Sequence, residues 1–238
     1  MRKRSKRYNE MVKKIDLKKE YSISDAVKNL KTFATAKFDE TVDIAVNLGV
    51  DPKKSDQMIR GTVSLPHGIG KTVRVLVLCK PIKEQEAKDA GADYVGLEEY
   101  IKKIQEGWTD IDVVIATPDV MAEVGKLGKI LGTKGLMPNP KSGTVTQDVG
   151  KAVKEVKAGR IEFRVEKAGI VHAGIGKISF DENKIADNIN AFLSTLLKMK
   201  PATVKGQYVK AITVSTTMGL GFKISRNELQ ALMNYALI

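Results

Sequence analysis

The sequence is poor in the residues that most site chemistry needs. Of its 238 residues, one is cysteine and two are histidine. A single cysteine, Cys79, excludes a disulfide within the chain and a thiolate zinc site. His67 and His172 are too few for a histidine metal cluster, and no Ser–His–Asp arrangement can be argued. No enzyme activity, metal or cofactor is therefore expected. Aromatic residues make up 5% of the chain, so the core should be mostly aliphatic. No apolar run approaches the roughly 20 residues of a membrane helix. The basic N-terminus, MRKRSKRYNEMVKK, has no apolar stretch after it, which argues against a secretory signal. Cys79 ends the apolar run VRVLVLC, and a buried thiol there fits a reducing cytoplasm.

Positive charge, by contrast, is plentiful. The formal net charge is +12. Residues 1–69 hold 15 Lys/Arg against 9 Asp/Glu, residues 70–158 hold 14 against 13, and residues 159–238 hold 11 against 6. The excess thus sits at the two ends of the chain. A basic surface attracts polyanions, of which nucleic acid is the commonest. Residues 1–20 form a basic arm, either a frayed solvated terminus or a segment lying on phosphates.

Periodicity divides the chain in the same places. SDAVKNLKTFA reads as a helix capped by Ser24, with Ala26, Val27, Leu30 and Phe33 as its stripe. In FDETVDIAVNLGV, Val42, Ile44, Val46 and Leu48 alternate with polar or small residues as a half-buried strand. A second strand spans Ile59 to Leu65. After Gly70, short continuously apolar strands (VRVLVLC, DYVG, DVVIA) alternate with helices (IKEQEAKDAG, LEEYIKKIQEG, TPDVMAEVGKLG), which implies a parallel sheet covered by helices. Thr117 and Pro118 open the third of these helices, and Thr146 opens a last one that closes at Gly159. Alternating strands then return in GRIEFRVEKAG and HAGIGKISF. DENKIADNINAFLSTLLKM is a long helix and YVKAITVST a final strand. Ser225 and Glu228 form a capping box for a short helix in the tail.

The simplest architecture is mixed α/β and α+β. A discontinuous α+β domain, residues 1–69 and 159–238, carries an inserted Rossmann-like α/β domain, residues 70–158. The crossings at Gly68, Gly70 and Gly159 would act as a paired hinge.

Nucleotide motifs fail on inspection. HGIGKT lacks the first glycine of a phosphate loop and leads into a strand, not a helix. The turn after the first strand of the inserted domain, CKPIKEQ, has no glycine for a dinucleotide. A nucleotide-using enzyme with a lid domain remains the rival reading, though fold alone does not give function. GKLGKILGTKGLMPNPKSG interleaves lysine with glycine, which suits an anion or a partner surface, or else is a long surface loop. His172, near Arg164 and Lys167, is a phosphate or base contact or an ordinary surface histidine. In AITVSTTMGLG, alternation sends Ile212 and Val214 to the core and Thr213, Ser215 and Thr217 to the other face. Hydroxyls, free amides at Gly219 and the flat side chain of Met218 suit RNA read by shape, and a solvent-facing threonine strand is the alternative.

KLGKILGTKGLMPNP strongly resembles the signature of the L1 family, the stalk protein of the large ribosomal subunit. FDETVDIAVNLGVDPKKSDQMIRGTVSLPHGIGKTVRV, AGADYVG, GRIEFR, ADNINAF and STTMG are similar in the same order, from about residue 4 to residue 221. The resemblance implies a discontinuous split β-α-β RNA-binding domain with an inserted Rossmann-like domain. It implies, too, binding to the ribosomal RNA of the mobile side stalk, near the site where deacylated transfer RNA leaves. Other implied properties are repression of translation of its own messenger RNA, a cytoplasmic location and a free monomer. Carried over by motif, RNA contacts fall on Lys37, Phe38, Thr41, Arg164, Lys167 and His172, and on Ser215, Thr216, Thr217, Met218 and Gly219. The chain departs from the family pattern at Glu166, where aspartate is frequent, and at Leu220, where proline is frequent. The tail beyond Phe222 lies outside the resemblance.

Overall fold

Each periodic stretch folds because it lays a continuous apolar face along one side of its backbone. The computed structural model describes residues 5–16, 19–225 and 228. The chain divides into two compact units, Met1–Gly70 with Ile161–Ile238, and Lys71–Arg160.

The first unit opens with helix α1 (Lys6–Lys14), capped by the Ser5 hydroxyl and burying Met11. The basic arm is therefore helical over these residues, while residues 1–4 and 17–18 lie outside the described ones. Strand β1 (Glu20–Tyr21) leads into α2 (Ile23–Phe33). This helix buries Ala26, Val27 and Leu30, but its cap is Ser22, whose hydroxyl accepts from Asp25 N at 3.1 Å, and not Ser24. Ile23 is itself buried, so the apolar stripe starts earlier than expected. Strand β2 (Thr41–Leu48) alternates without a break, with Val42, Ile44, Val46 and Leu48 buried. Strand β3 (Arg60–Ser64) follows.

The second unit contains β4 (Val75–Leu78), α3 (Glu84–Asp89), β5 (Tyr94–Gly96), α4 (Glu98–Gln105) and β6 (Val113–Ala116). Among the described residues its strands form a parallel sheet in the order β5-β4-β6. Leu76 and Leu78 of β4 pack with Ile104, Val124, Leu127 and Leu131, whereas Val75 and Val77 pack with Cys79, Ala87, Val149 and Val153. The sheet is thus covered on both faces, which is why its strands read as continuous apolar runs.

The helix expected from Thr117 is broken. A 3₁₀ turn at Pro118–Val120, helix α5 (Met121–Val124), a second 3₁₀ turn at Gly125–Leu127 and helix α6 (Gly128–Thr133) succeed one another, and the Thr117 side chain caps nothing. Glycine is a poor helix former, and Gly125 and Gly128 sit at the breaks. The same α6 replaces the first part of the long lysine–glycine loop, because Leu127 and Leu131, one helical turn apart, are buried. Helix α7 (Val149–Lys157) starts after Thr146 because Asp148 supplies the cap, accepting from Lys151 N.

The chain returns to the first unit through β7 (Arg160–Arg164), which pairs with β3, and continues as β8 (Ile170–Lys177), α8 (Glu182–Lys198), β9 (Val209–Thr216) and β10 (Gly221–Ile224). Among the described residues the larger sheet has the order β1-β10-β9-β2-β8. Both β8 and β9 are antiparallel to β2 and flank it, so β8–α8–β9 is a β-α-β unit with β2 between its strands. The α8 residues Ile185, Ile189, Phe192, Leu193 and Leu196 are buried in the same core as the inner face of the sheet. Full burial of such side chains contributes about 1.5–3 kcal/mol each. Strand β10 carries the sheet to Ile224, so the tail begins later than residue 223; the helix expected there lies outside the described residues apart from Ser225 and Glu228. Strand β1 runs parallel beside β10, pairing Glu20 with Lys223, so both ends of the chain enter one sheet. The mixed α/β class read from the sequence holds.

Candidate nucleic-acid interface

A corner forms where β2 begins and β9 ends. Thr216 faces Val42 in register. Just beyond, Thr217 N donates to Thr41 O at 3.1 Å, and Thr41 N donates to Thr217 Oγ1 at 3.1 Å. The alternation of β9 sends Ile212, Val214 and Thr216 inward. Thr216 is consequently 5% exposed. Its hydroxyl, expected to meet RNA, instead lies 2.2 Å from where a Cβ on Gly219 would stand. Space, and not a left-handed turn, is what requires glycine at 219, since Gly219 keeps out of the positive-φ region.

The corner amides are also engaged. Met218 N donates to Glu40 Oε2 at 2.8 Å, and Gly219 N donates to Thr216 O at 3.2 Å. The outward groups are therefore side chains: the exposed Thr217 and Lys37, with Phe38 at 54% and Met218 at 49% exposure. Ser215 is half-buried opposite Asp43 and Gly221. The Thr41 hydroxyl accepts from Lys177 Nζ at 2.9 Å.

Glu40 and Arg7 belong to this corner and were not foreseen. Glu40 is 1% exposed, and its other oxygen, Oε1, accepts from Ala36 N at 3.3 Å. Arg7 Nη2 donates to Met218 O at 2.8 Å. In the sequence, the sole signal for Glu40 was an acid directly ahead of a fully alternating strand.

Arg164 and Lys167 lie elsewhere. Leu48 N donates to Gly169 O, so the turn over residues 166–169 sits beyond the far end of β2. With eight residues in β2, the two ends are about 23 Å apart at ~3.3 Å per residue. The Arg164 guanidinium reaches Met58 Sδ at 3.6 Å, and Pro52, Lys53, Met58, Arg164, Glu166 and Lys167 line a groove. Lys53 and Met58 escaped notice because a loop residue shows no period. His172 faces Ala45, midway along β2, and its Nε2 lies 3.4 Å from Glu166 Oε1. Also on β2, burial raises the Asp43 carboxyl above its ordinary value, opposed by the charges of Lys177 and His172. The expected residues thus form two groups, a mostly neutral corner with one exposed cation, Lys37, and a cationic turn, with His172 and Ser215 between them. Aromatic and thioether side chains pack on bases and sugars, and cations meet phosphates.

At the crossings, Gly68, Gly70 and Gly159 have φ of 65°, 72° and 104°, where glycine is favoured. The fully buried Asn188 donates to Gly68 O at 3.0 Å and Ile175 O at 2.7 Å. On the other side, Asp112 accepts from Lys71 Nζ at 2.6 Å and from Arg74 N at 3.1 Å. Although burial pushes the Asp112 carboxyl up, these donors bring it down to about 2. Among the described residues, no group of three or more His, Cys, Asp or Glu could hold a metal ion, and no helix is long and apolar enough to cross a membrane.

Residues 30–220 match the model of the Ribosomal protein L1p/L10e family. The large ribosomal subunit protein uL1 of Chlorobium chlorochromatii is 59% identical over 223 residues, 94% of this chain and 97% of that protein. Its namesake in Chlorobaculum tepidum is 56% identical over 226 residues, 95% of this chain and 98% of the relative. The uL1 of Porphyromonas gingivalis is 58% identical over 224 residues, 94% and 97% of the two chains.

Proposed function

This chain belongs to the Ribosomal protein L1p/L10e family, and from that premise we propose that it grips the ribosomal RNA of the mobile side stalk with its first unit. It is a structural constituent of the large ribosomal subunit in the cytoplasm, and not an enzyme. The corner reads folded RNA by shape, and the turn with Arg164 and Lys167 neutralises phosphates. Through its place on the stalk it assists release of deacylated transfer RNA from the exit site. Through the same grip it represses translation of its own messenger RNA. The free protein is a monomer, and the inserted unit swings on the crossings at Gly68, Gly70 and Gly159. The tethers of Gly68 to Asn188 and of Lys71 to Asp112 support that hinge, because they leave only the few residues between them to bend.

One observation carries the RNA reading: Phe38 and Met218 stand exposed on a backbone whose amides at Thr217, Met218 and Gly219 are already bonded. A fixed apolar pair beside hydroxyls suits a folded RNA surface better than a flexible polyanion. The test is competition between a large-subunit RNA fragment containing the side stalk and duplex DNA of equal charge. The full chain should prefer the RNA and protect one stalk region in footprinting. Equal affinity for both would sink the reading.

A further inference from the structure

We propose that Glu40 is a positioning residue of the RNA site, its buried carboxylate setting the spacing between the two exposed apolar side chains, Phe38 and Met218. The inference deepens the RNA-binding reading and rests on it.

An ionised carboxylate is rarely this buried without a compensating partner. Here both oxygens are used by backbone amides from separate segments: Oε1 by Ala36 N at 3.3 Å and Oε2 by Met218 N at 2.8 Å. Glu40 is itself pinned, since its carbonyl accepts from Ile178 N at 2.9 Å. Glu40 therefore ties together three segments, the loop before β2 and the turn between β9 and β10 through its carboxylate and the end of β8 through its backbone carbonyl.

The two exposed side chains inherit that geometry. Phe38 lies between two tethered residues, Ala36 on Glu40 and Asp39 on Ser179, whose N and Oγ donate to the Asp39 carboxylate at 3.1 and 2.8 Å. The Met218 peptide is held from both sides, its N–H by Glu40 and its carbonyl by Arg7. A surface ordered before binding does not spend interaction energy on becoming ordered.

Only a carboxylate of this length meets the requirement. Glutamine offers one acceptor and one donor, so one of the two amides would face an N–H. Aspartate keeps both acceptors but is one methylene shorter and cannot span both amides. An aliphatic residue would leave both amides without an acceptor.

The test compares full-length wild type with Glu40→Gln and Glu40→Asp on the side-stalk RNA fragment and on random single-stranded RNA of equal length. Both variants should bind the structured RNA about tenfold more weakly or worse, while random-RNA affinity stays within about twofold of wild type and the salt slope is unchanged. A merely structural role predicts no such selectivity. The second measurement needs no variant to fold: in wild-type protein without RNA, the Ala36 and Met218 amide protons should both be protected from exchange with solvent. Structured-RNA binding by either variant within twofold of wild type, or either amide proton exchanging as fast as an unbonded one, overturns the proposal. If wild type itself shows no preference for structured RNA, the RNA reading fails instead.

Discussion

The two ends of β2 are built on opposite principles. At the Thr41 end the corner backbone is hydrogen-bonded, and what it offers outward is hydroxyl, phenyl and thioether beside a single cation, Lys37. At the Leu48 end the turn and its neighbouring loop offer Lys53, Arg164 and Lys167 around an exposed Met58. Long cationic side chains follow a phosphate wherever it lies, so they give affinity that salt weakens. A fixed, mostly neutral corner accepts only a surface that fits it, so it gives discrimination that salt largely leaves alone. Specific and non-specific binding should therefore separate physically along one strand.

The largest effect expected is at Gly219. A Cβ there would stand 2.2 Å from Thr216 Oγ1, closer than any real contact, so in Gly219→Ala the buried Thr216 hydroxyl or the corner backbone must shift. We expect a stability loss of about 1–3 kcal/mol and loss of structured-RNA binding at concentrations that saturate wild type. Thr216→Ala in the same chain should restore part of both, because it removes the clashing hydroxyl. Thermal melts and filter binding of the single and double variants decide this. A wild-type-like Gly219→Ala would mean that the corner is not rigid, and the contrast with the turn would dissolve.

A smaller, paired effect sharpens the contrast. Thr217→Val removes the hydroxyl that accepts from Thr41 N. It should weaken structured-RNA binding by about 1 kcal/mol without changing the slope of log affinity against log salt. Arg164→Ala should do the reverse, flattening that slope by roughly 0.7–0.9 for structured and random RNA alike. Salt titrations of both variants on both RNAs read the two effects apart. If Thr217→Val alters the slope, or Arg164→Ala harms only structured RNA, the two ends share one mode of recognition.

Much of this fold could be read from the chain, because a period depends on residues only a few positions away. The burial of β2 and the apolar stripe of α8 followed directly from alternation and helical spacing. The anchors did not, since a polar residue acquires its meaning from partners far along the chain. Glu40 meets Met218 across 178 positions, Arg7 meets Met218 across 211, and Asn188 meets Gly68 across 120. Thr216 is a different case. Its position two residues after Val214 points it inward, while the family resemblance places it among the RNA contacts. The side chain follows the alternation. In the lysine–glycine segment the glycines masked a helix that the spacing of Leu127 and Leu131 announced.

The smallest effect expected lies between the two ends, at Asp43. This half-buried carboxylate sits on the β2 face between the corner and the turn. Burial raises its carboxyl above the ordinary 3.8, with Lys177 and His172 opposing the rise. A raised value means that the folded state favours the protonated form. The stability Asp43 contributes is therefore complete below its unfolded value and is lost as pH rises through the folded one. At neutral pH its charge is a net cost, reduced by solvent screening. Asp43→Asn should thus stabilise the protein by about 0.5 kcal/mol at pH 7, and the gain should vanish below pH 3.8. If this face meets phosphates as proposed, removing one negative charge from it should also tighten structured and random RNA alike, by about twofold. Melting curves across pH and binding at fixed salt measure both. If Asp43→Asn instead weakened only the structured complex, Asp43 would be contacting the RNA directly, and the shape-reading surface would extend from the corner into the middle of β2.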